Sequence, residues 1–136
     1  MIFEPKWKSL LANTTAPIFT PAQCQDIINM GHQQKSEEAK VGHKDAKGGF
    51  YDWHMDAEVN CRFEPPVRKI SMTILLSDPS EFEGGDLEFM TEGNKPPQLL
   101  QGQAIFFCSL IRHRVSKVKK GIRRSLVMWF GGPPFK

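Results

Sequence analysis

The chain contains few cysteines and no long apolar run. Its three cysteines, Cys24, Cys61 and Cys108, are widely spaced and form no C-x-x-C pair, so the sequence encodes neither a disulfide framework nor a zinc knuckle. No segment approaches the roughly 20 consecutive apolar residues of a membrane helix, and charged side chains interrupt the N-terminal segment where a signal peptide would be apolar. These absences predict a soluble cytoplasmic protein with reduced, structural thiols and no membrane partner.

Acidic residues are absent from the last part of the chain. No Asp or Glu follows Glu92, although the net charge is only +3. Seven basic residues occupy one short segment: Arg112, Arg114, Lys117, Lys119, Lys120, Arg123 and Arg124. Such a run attracts anions. For most of these residues a solvated strand edge that discourages edge-to-edge pairing is a better interpretation than a nucleic-acid patch.

Local signals predict a helix near the N-terminus. Thr20 to Gln23 combine a capping threonine, a proline in the first turn and a glutamine that completes a capping box. Cys24, Ile27 and Ile28 then form its buried stripe. We expect Gly31 to end or loosen this helix, and residues 33–47 to form a fraying helix end followed by a polar loop.

The remainder of the chain has the pattern of short strands. Apolar residues approximately alternate over 67–76, which predicts a strand with one buried face. Further strands are expected at 86–90, 103–108, 112–118 and 123–130, with residues 119–121 closing the last hairpin. A chain of 136 residues that is 40% apolar fits a single domain spanning 1–136. The pattern predicts an α+β fold, mainly β, whose body is an antiparallel sandwich or jelly roll.

A possible metal motif lies at residues 51–56. His54 and Asp56 are two positions apart in an extended segment, so both side chains project from one face and can reach one ion. A carboxylate and two imidazoles form the facial triad of non-haem Fe(II), which leaves three coordination positions open. Of the other histidines, His32 and His43 lie in the polar N-terminal region, whereas His113 lies among predicted strands.

An arginine follows the last of these histidines at a useful distance. Arg123 comes ten residues after His113, so a hairpin can return it beside the metal, where its guanidinium can grip a carboxylate through two hydrogen bonds. Arg123 and Ser125 alternate onto one strand face, and Arg124 takes the other.

In combination, these residues resemble the Fe(II)- and 2-oxoglutarate-dependent dioxygenases, in particular the prolyl-4-hydroxylase-like branch with its bacterial and phage peptidyl-prolyl hydroxylases. The resemblance rests on segments 49–56, 68–71, 76–79, 83–89 and 113–129, which occur in family order. It implies a double-stranded β-helix, a cupin-like jelly roll, with a helix-bearing N-terminal part over about 1–47 and a metal-binding core over about 48–133.

The resemblance also implies roles for individual residues. The iron ligands would be His54, Asp56 and His113, and Arg123, helped by the Ser125 hydroxyl, would pair with the distal carboxylate of 2-oxoglutarate. Leu75 and Leu87 would line the cosubstrate pocket, and Tyr51 and Trp53 would shape its entrance or touch substrate, with aromatic packing as the alternative for each.

The implied reaction uses Fe(II), 2-oxoglutarate and O2, with ascorbate as a reductant. It would hydroxylate an unactivated C–H bond, that of a prolyl residue in a peptide or protein, and release succinate and CO2. Free amino acids and other small molecules stay open as substrates. The implied location is the cytoplasm of a bacterial cell or of a phage-infected host.

The chain departs from the family pattern before the metal motif. The interval between helix and motif is short, and Asp45 stands where relatives often carry a tyrosine that bonds 2-oxoglutarate. Missing strands would expose the apolar face over 67–76, which predicts a homodimer or marginal stability. One alternative is a non-catalytic β module that binds metal or anions.

Two further alternatives are weaker. Nucleic-acid dealkylating dioxygenases pair their distal histidine with two arginines six positions apart, and position 129 here is Trp. A zinc hydrolase would require further His or Cys ligands and a nearby carboxylate base, which the sequence does not supply at a suitable spacing.

Overall fold

The computed structural model describes residues 6–34, 49–57, 66–91, 93 and 95–133. In these ranges the chain forms one α-helix, α1 (Pro21–His32), and short 3-10 turns at Lys6–Ser9 and Pro79–Glu81. The strands are β1 (Leu11–Asn13), β2 (Tyr51–His54), β3 (Val67–Leu75), β4 (Phe82–Gly84), β5 (Leu87–Phe89), β6 (Ala104–Cys108), β7 (His113–Val115), β8 (Val118–Gly121) and β9 (Ser125–Gly132).

The strands pair in antiparallel fashion into three sheets. The largest has the order β1-β6-β3-β9, a second has the order β2-β7-β5, and β4 pairs with β8. Strand β3 lies inside the largest sheet, where Ser71 is in register with Phe107 of β6 and Trp129 of β9. The predicted helix and antiparallel, mainly β body are therefore both present.

Around β3 and β6 the largest sheet is covered on both faces, whereas β9 is largely exposed. One face joins the second sheet through an inner core of Leu75, Leu87, Phe89, Leu99, Ile105 and Phe107. On the other face, Cys24 and Ile28 of α1 pack against Met72, Ile74 and Leu76. All of residues 71–77 are buried, so the prediction of one buried face over 67–76 was wrong, because α1 covers the second face.

Local hydrogen bonds fix the start of α1 where the sequence predicted it. The Thr20 hydroxyl accepts from the backbone N–H of Gln23 at 3.2 Å, and the Gln23 side chain accepts from the backbone N–H of Thr20 at 2.9 Å. The helix ends at His32, one residue beyond Gly31, where the sequence predicted that it would end or loosen. Gly31 is not among the described glycines with positive φ, so it does not adopt the left-handed conformation that terminates many helices.

Two strand predictions near the C-terminus were also wrong. Segment 112–118 forms two strands, β7 and β8, and residues 119–121 belong to β8 rather than closing a hairpin. The break follows from Ser116, whose hydroxyl accepts from the N–H of Asp86 and whose N–H donates to the Asp86 carbonyl, both at 2.9 Å. The chain thereby leaves β5 and pairs next with β4.

Some sequence predictions fall outside the described residues, among them most of the 33–47 loop, His43, Asp45 and Cys61. Cys24 and Cys108 are buried free thiols. Within the described ranges, no helix has both the length and the apolar character that crossing a bilayer requires.

Candidate metal centre and its cavity

Three predicted ligands meet at the junction of β2 and β7. His54 ends β2 and is in register with His113, the first residue of β7, and their ring centroids are 4.2 Å apart. Asp56 lies in the turn after β2. Its Oδ1 atom is 3.3 Å from His54 Nε2 and 3.5 Å from His113 Nε2. The three candidate ligand atoms all lie within 4.8 Å of one another.

Backbone carbonyls set the tautomer of both histidines. His54 Nδ1 is 2.7 Å from the carbonyl oxygen of Asp52, and His113 Nδ1 is 2.9 Å from that of Ile111. A carbonyl only accepts, so each Nδ1 carries a hydrogen, and in the neutral form of each ring the lone pair is on Nε2, the atom that faces Asp56. Burial lowers the pKa of His54, although Asp52 and Asp56 oppose it. The neutral, metal-binding form of this imidazole is thereby favoured.

The two oxygens of Asp56 have different partners. Oδ1 faces the histidines, while Oδ2 accepts hydrogen bonds from Ser71 Oγ at 2.5 Å and Trp129 Nε1 at 3.0 Å. Burial raises the pKa of Asp56, but His113 and the hydrogen bonds from Ser71 and Trp129 outweigh it and hold the pKa well below its usual range. The carboxylate is therefore ionised.

The donor set fits a divalent transition metal. Ligand atoms about 2.0–2.2 Å from a common ion, on adjacent coordination positions, are about 3 Å apart, close to the 3.3 and 3.5 Å separations around Asp56 Oδ1. Two neutral imidazoles and one carboxylate on a single face are the donor types of non-haem Fe(II) sites.

A cavity of about 350 Å³, called the metal cavity below, opens on this cluster and is also lined by Arg123 and Ser125. An Arg123 guanidinium nitrogen donates to the Ser125 hydroxyl at 2.6 Å. Burial lowers the pKa of Arg123 and Asp86 opposes this shift, but arginine remains protonated in proteins. The cavity thus combines a three-ligand cluster with a fixed positive charge.

Of the other residues predicted to contact cosubstrate or substrate, some line the metal cavity, one lines a neighbouring cavity, and one does not line the metal cavity. Leu87 and Tyr51 line the cavity, and the Tyr51 ring centroid lies 3.8 Å from that of His54. Leu75 lines a neighbouring cavity of about 260 Å³ that also has Leu87 and Arg123 in its wall. Trp53 is not a lining residue of the metal cavity, and the Arg114 guanidinium lies 4.8 Å from its ring centroid. Packing is the better interpretation for Trp53.

Sequence reasoning missed the residues that hold Asp56. Ser71 and Trp129 contact its carboxylate, and the Arg68 guanidinium lies 3.8 Å from the centre of the Trp129 ring. One signal was available in the sequence: Trp129 follows Ser125 by four positions in the same strand, so alternation places both side chains on one face of β9. The pairing of Ser71 with Trp129 is tertiary, so no local pattern reveals it.

Fold and cluster together define a jelly-roll protein with a candidate three-ligand metal site. Comparison with protein families gives the same class, because the family model of the 2OG-Fe(II) oxygenase superfamily matches residues 40–131. The chain belongs to this superfamily.

Curated relatives and solved structures extend this result. A PKHD-type hydroxylase of Synechococcus sp. (strain CC9902) is 37% identical over 60% of this chain and 36% of its own length. Another, from Shewanella frigidimarina, is 34% identical over 77% of this chain and 52% of its own length. The chain thus spans between about a third and a half of these relatives.

Two solved structures support the fold. A Pseudomonas putida prolyl-4-hydroxylase matches with a TM-score of 0.64 at 16% identity, over 90% of this chain and 92% of its own. A 2OG-Fe(II) oxygenase family protein of Burkholderia pseudomallei matches with a TM-score of 0.51 at 28% identity, over 65% of this chain and 40% of its own. The predicted jelly roll is confirmed.

Proposed function

We propose that this chain is an Fe(II)- and 2-oxoglutarate-dependent dioxygenase whose iron ligands are His54, Asp56 and His113. When bound, Fe(II) supplies the activation of O2 that couples decarboxylation of 2-oxoglutarate to hydroxylation of a C–H bond, with succinate and CO2 released. The proposal is supported by the Nε2 atoms of His54 and His113, which both lie within 3.5 Å of the ionised Oδ1 of Asp56.

The observation that carries the proposal is that the ligand cluster and Arg123 line the same cavity. A partly buried guanidinium there can hold the distal carboxylate of 2-oxoglutarate by charge-assisted hydrogen bonds. The Ser125 hydroxyl accepts from Arg123 and so restricts its orientation. Leu87, Phe107 and Val127 contribute apolar wall, which excludes water from the bound cosubstrate.

The proposed substrate is a prolyl residue in a peptide or protein. Support comes from the names of the relatives, which are PKHD-type hydroxylases, and of the solved prolyl-4-hydroxylase. Tyr51, Arg68 and Trp129 line the metal cavity, so we assign them to the substrate side of the site. A small-molecule substrate is the alternative, and ascorbate is the proposed reductant.

The basic segment adds little support for a nucleic-acid substrate. Arg114 is paired with Glu88 at 2.7 Å and Arg123 lines the metal cavity, so these two charges do not join a surface patch. The buried free thiols Cys24 and Cys108 support our proposal that the protein works in the reducing cytoplasm.

The test is a turnover screen of the full chain with Fe(II), 2-oxoglutarate, O2 and ascorbate. Candidate substrates are proline-rich peptides, free amino acids and a methylated single-stranded oligonucleotide. We expect a proline-containing peptide to gain one oxygen atom with stoichiometric succinate, measured by mass spectrometry. Hydroxylation of a free amino acid alone, or demethylation of the oligonucleotide, would reassign the substrate.

Variants connect this activity to the cluster. His54→Ala, Asp56→Ala and His113→Ala should each abolish succinate formation, whereas His32→Ala, at an exposed position on α1, should leave it unchanged. Metal binding without succinate under any condition would favour the non-catalytic metal-binding module instead.

A further inference from the structure

The second oxygen of Asp56 is held by two strands of the largest sheet. Ser71 on β3 and Trp129 on β9 are cross-strand partners in register, and both donate to Asp56 Oδ2, at 2.5 and 3.0 Å. Because they lie side by side on neighbouring strands, the sheet itself sets the separation of the two donors.

Each donor is oriented by a further contact. The Ser71 hydroxyl donates its only hydrogen to Asp56, so the Ser109 hydroxyl, 2.9 Å away, must donate to Ser71. The Ser109 carbonyl also accepts from the N–H of Ala57 at 3.1 Å, which ties the turn that carries Asp56 to the end of β6. Both serines are fully buried, so water does not compete with these hydrogen bonds.

The indole of Trp129 is not held by burial. The residue is 43% exposed, although its N–H donates to the buried Asp56 carboxylate. The Arg68 guanidinium lies 3.8 Å from the ring centroid, a stacking contact that fixes the plane of the ring. The direction of the N–H therefore follows from that stacking and from the β9 backbone.

We propose that Trp129 and Ser71 are positioning residues for the metal centre: by occupying Asp56 Oδ2 they keep Oδ1 directed at the two histidines. This inference rests on the proposed function. Held in this way, the carboxylate offers one oxygen to the ion, so three positions stay open for 2-oxoglutarate and O2. Partners that orient metal ligands are worth about 10–100-fold in metal affinity.

The test measures Mn(II) affinity, which requires no turnover, by electron paramagnetic resonance of the free ion. Trp129→Phe removes the N–H but keeps a ring for Arg68 to stack on, and Ser71→Ala removes the buried hydroxyl. We expect each to raise the Mn(II) dissociation constant by about 10–100-fold. Trp53→Phe, the same change at a tryptophan that does not line the cavity, should leave it unchanged.

Melting of the metal-free proteins separates positioning from folding. A merely structural Trp129 would lower the melting temperature of Trp129→Phe and leave its Mn(II) affinity at the wild-type value, and that result overturns the inference. Trp129 is partly exposed, so its variant carries the test even where Ser71→Ala does not fold. Wild-type protein that fails to bind Mn(II) would overturn the proposed function, whereas wild-type binding that both variants retain would overturn only the positioning role.

Discussion

Arg123 brings a permanent positive charge into a cavity that also holds the ionised Asp56. A dication and the guanidinium groups of Arg68 and Arg123, less the one negative charge of Asp56, leave three positive charges, against the two negative charges of 2-oxoglutarate. Metal binding therefore leaves the cavity with a net positive charge, and bound 2-oxoglutarate offsets most of it. Electrostatics at the level of single residues thus favours a dianionic ligand beside the cluster.

From this balance we expect Arg123→Met to weaken 2-oxoglutarate binding by about 10–100-fold, since a hydrogen bond to a charged group contributes about 1.5–3 kcal/mol. Calorimetry on the Mn(II)-loaded protein measures the affinity. Arg124→Met is the matched control, because the Arg124 side chain does not line the cavity. Equal affinities in the two variants would remove Arg123 from the cosubstrate site.

A second prediction at this scale concerns Cys24, which has no exposed surface in the core beneath α1. Burial raises the pKa of its thiol, so the reactive thiolate is scarce and inaccessible at neutral pH. We expect an alkylating reagent to modify Cys24 only at the rate of unfolding, followed by peptide mass mapping. Rapid labelling in native buffer would show that α1 does not stay packed on the sheet.

Among the structural elements, the turn between β4 and β5 has the most direct link to the cavity. Gly85 has φ +66°, and a Cβ atom there would lie 2.8 Å from Arg123 Cδ and 2.9 Å from Val118 Cγ2. Only glycine allows the turn to pack this closely against the arginine stem. The turn, although it touches no ligand of the cluster, sets where the guanidinium lies.

We therefore expect Gly85→Ala to weaken 2-oxoglutarate binding at least several-fold while Mn(II) affinity is unchanged, measured by the same calorimetric titration. Gly93→Ala is the control: Gly93 also has positive φ, at +74°, but nothing lies within 4 Å of its added Cβ. Both variants pay the left-handed backbone cost of about 1–2 kcal/mol. A similar loss of affinity in both would assign the effect to general destabilisation.

The helix cap is an element that should affect stability alone. Thr20→Ala removes the hydroxyl that accepts from Gln23, and loss of such a cap costs about 1 kcal/mol. Urea denaturation should show this decrease against Thr15→Ala, an exposed control outside the helix. Mn(II) affinity should stay at the wild-type value, because α1 packs on the face of the sheet away from the inner core. A cap variant with weakened Mn(II) binding would contradict that separation.

Elements were predictable from sequence wherever their causes are local. The capping box at Thr20 acts within four residues, and it located the start of α1 correctly. The end of β7 depends on Ser116 meeting Asp86, 30 positions away, and β8 pairs with β4 rather than with its neighbour along the chain. Contacts between residues so far apart produce no periodic pattern in the sequence, so segment 112–118 was predicted as one strand.

For the whole molecule, the same distinction separates what the metal motif predicted from what it did not. The sequence pointed to His54, Asp56 and Arg123 through their spacing and the motifs around them. Ser71 and Trp129, in contrast, become partners only when β3 and β9 pair. Burial of 71–77 between α1 and the inner core also removes the reason given for a dimer on β3. The homodimer itself stays a prediction, open to sedimentation analysis.

The candidate ligands connect distant parts of the chain, since His113 follows Asp56 by 57 positions. An unfolded chain does not hold three such groups together, so metal binding should stabilise the folded state as a whole. At a free Mn(II) concentration 100 times its dissociation constant, the gain is about 2.7 kcal/mol, which corresponds to a rise of about 5–10 °C in Tm. Calorimetric melting with and without Mn(II) measures it. Asp56→Ala should show no rise, and an equal rise in that variant would mean that the metal binds elsewhere.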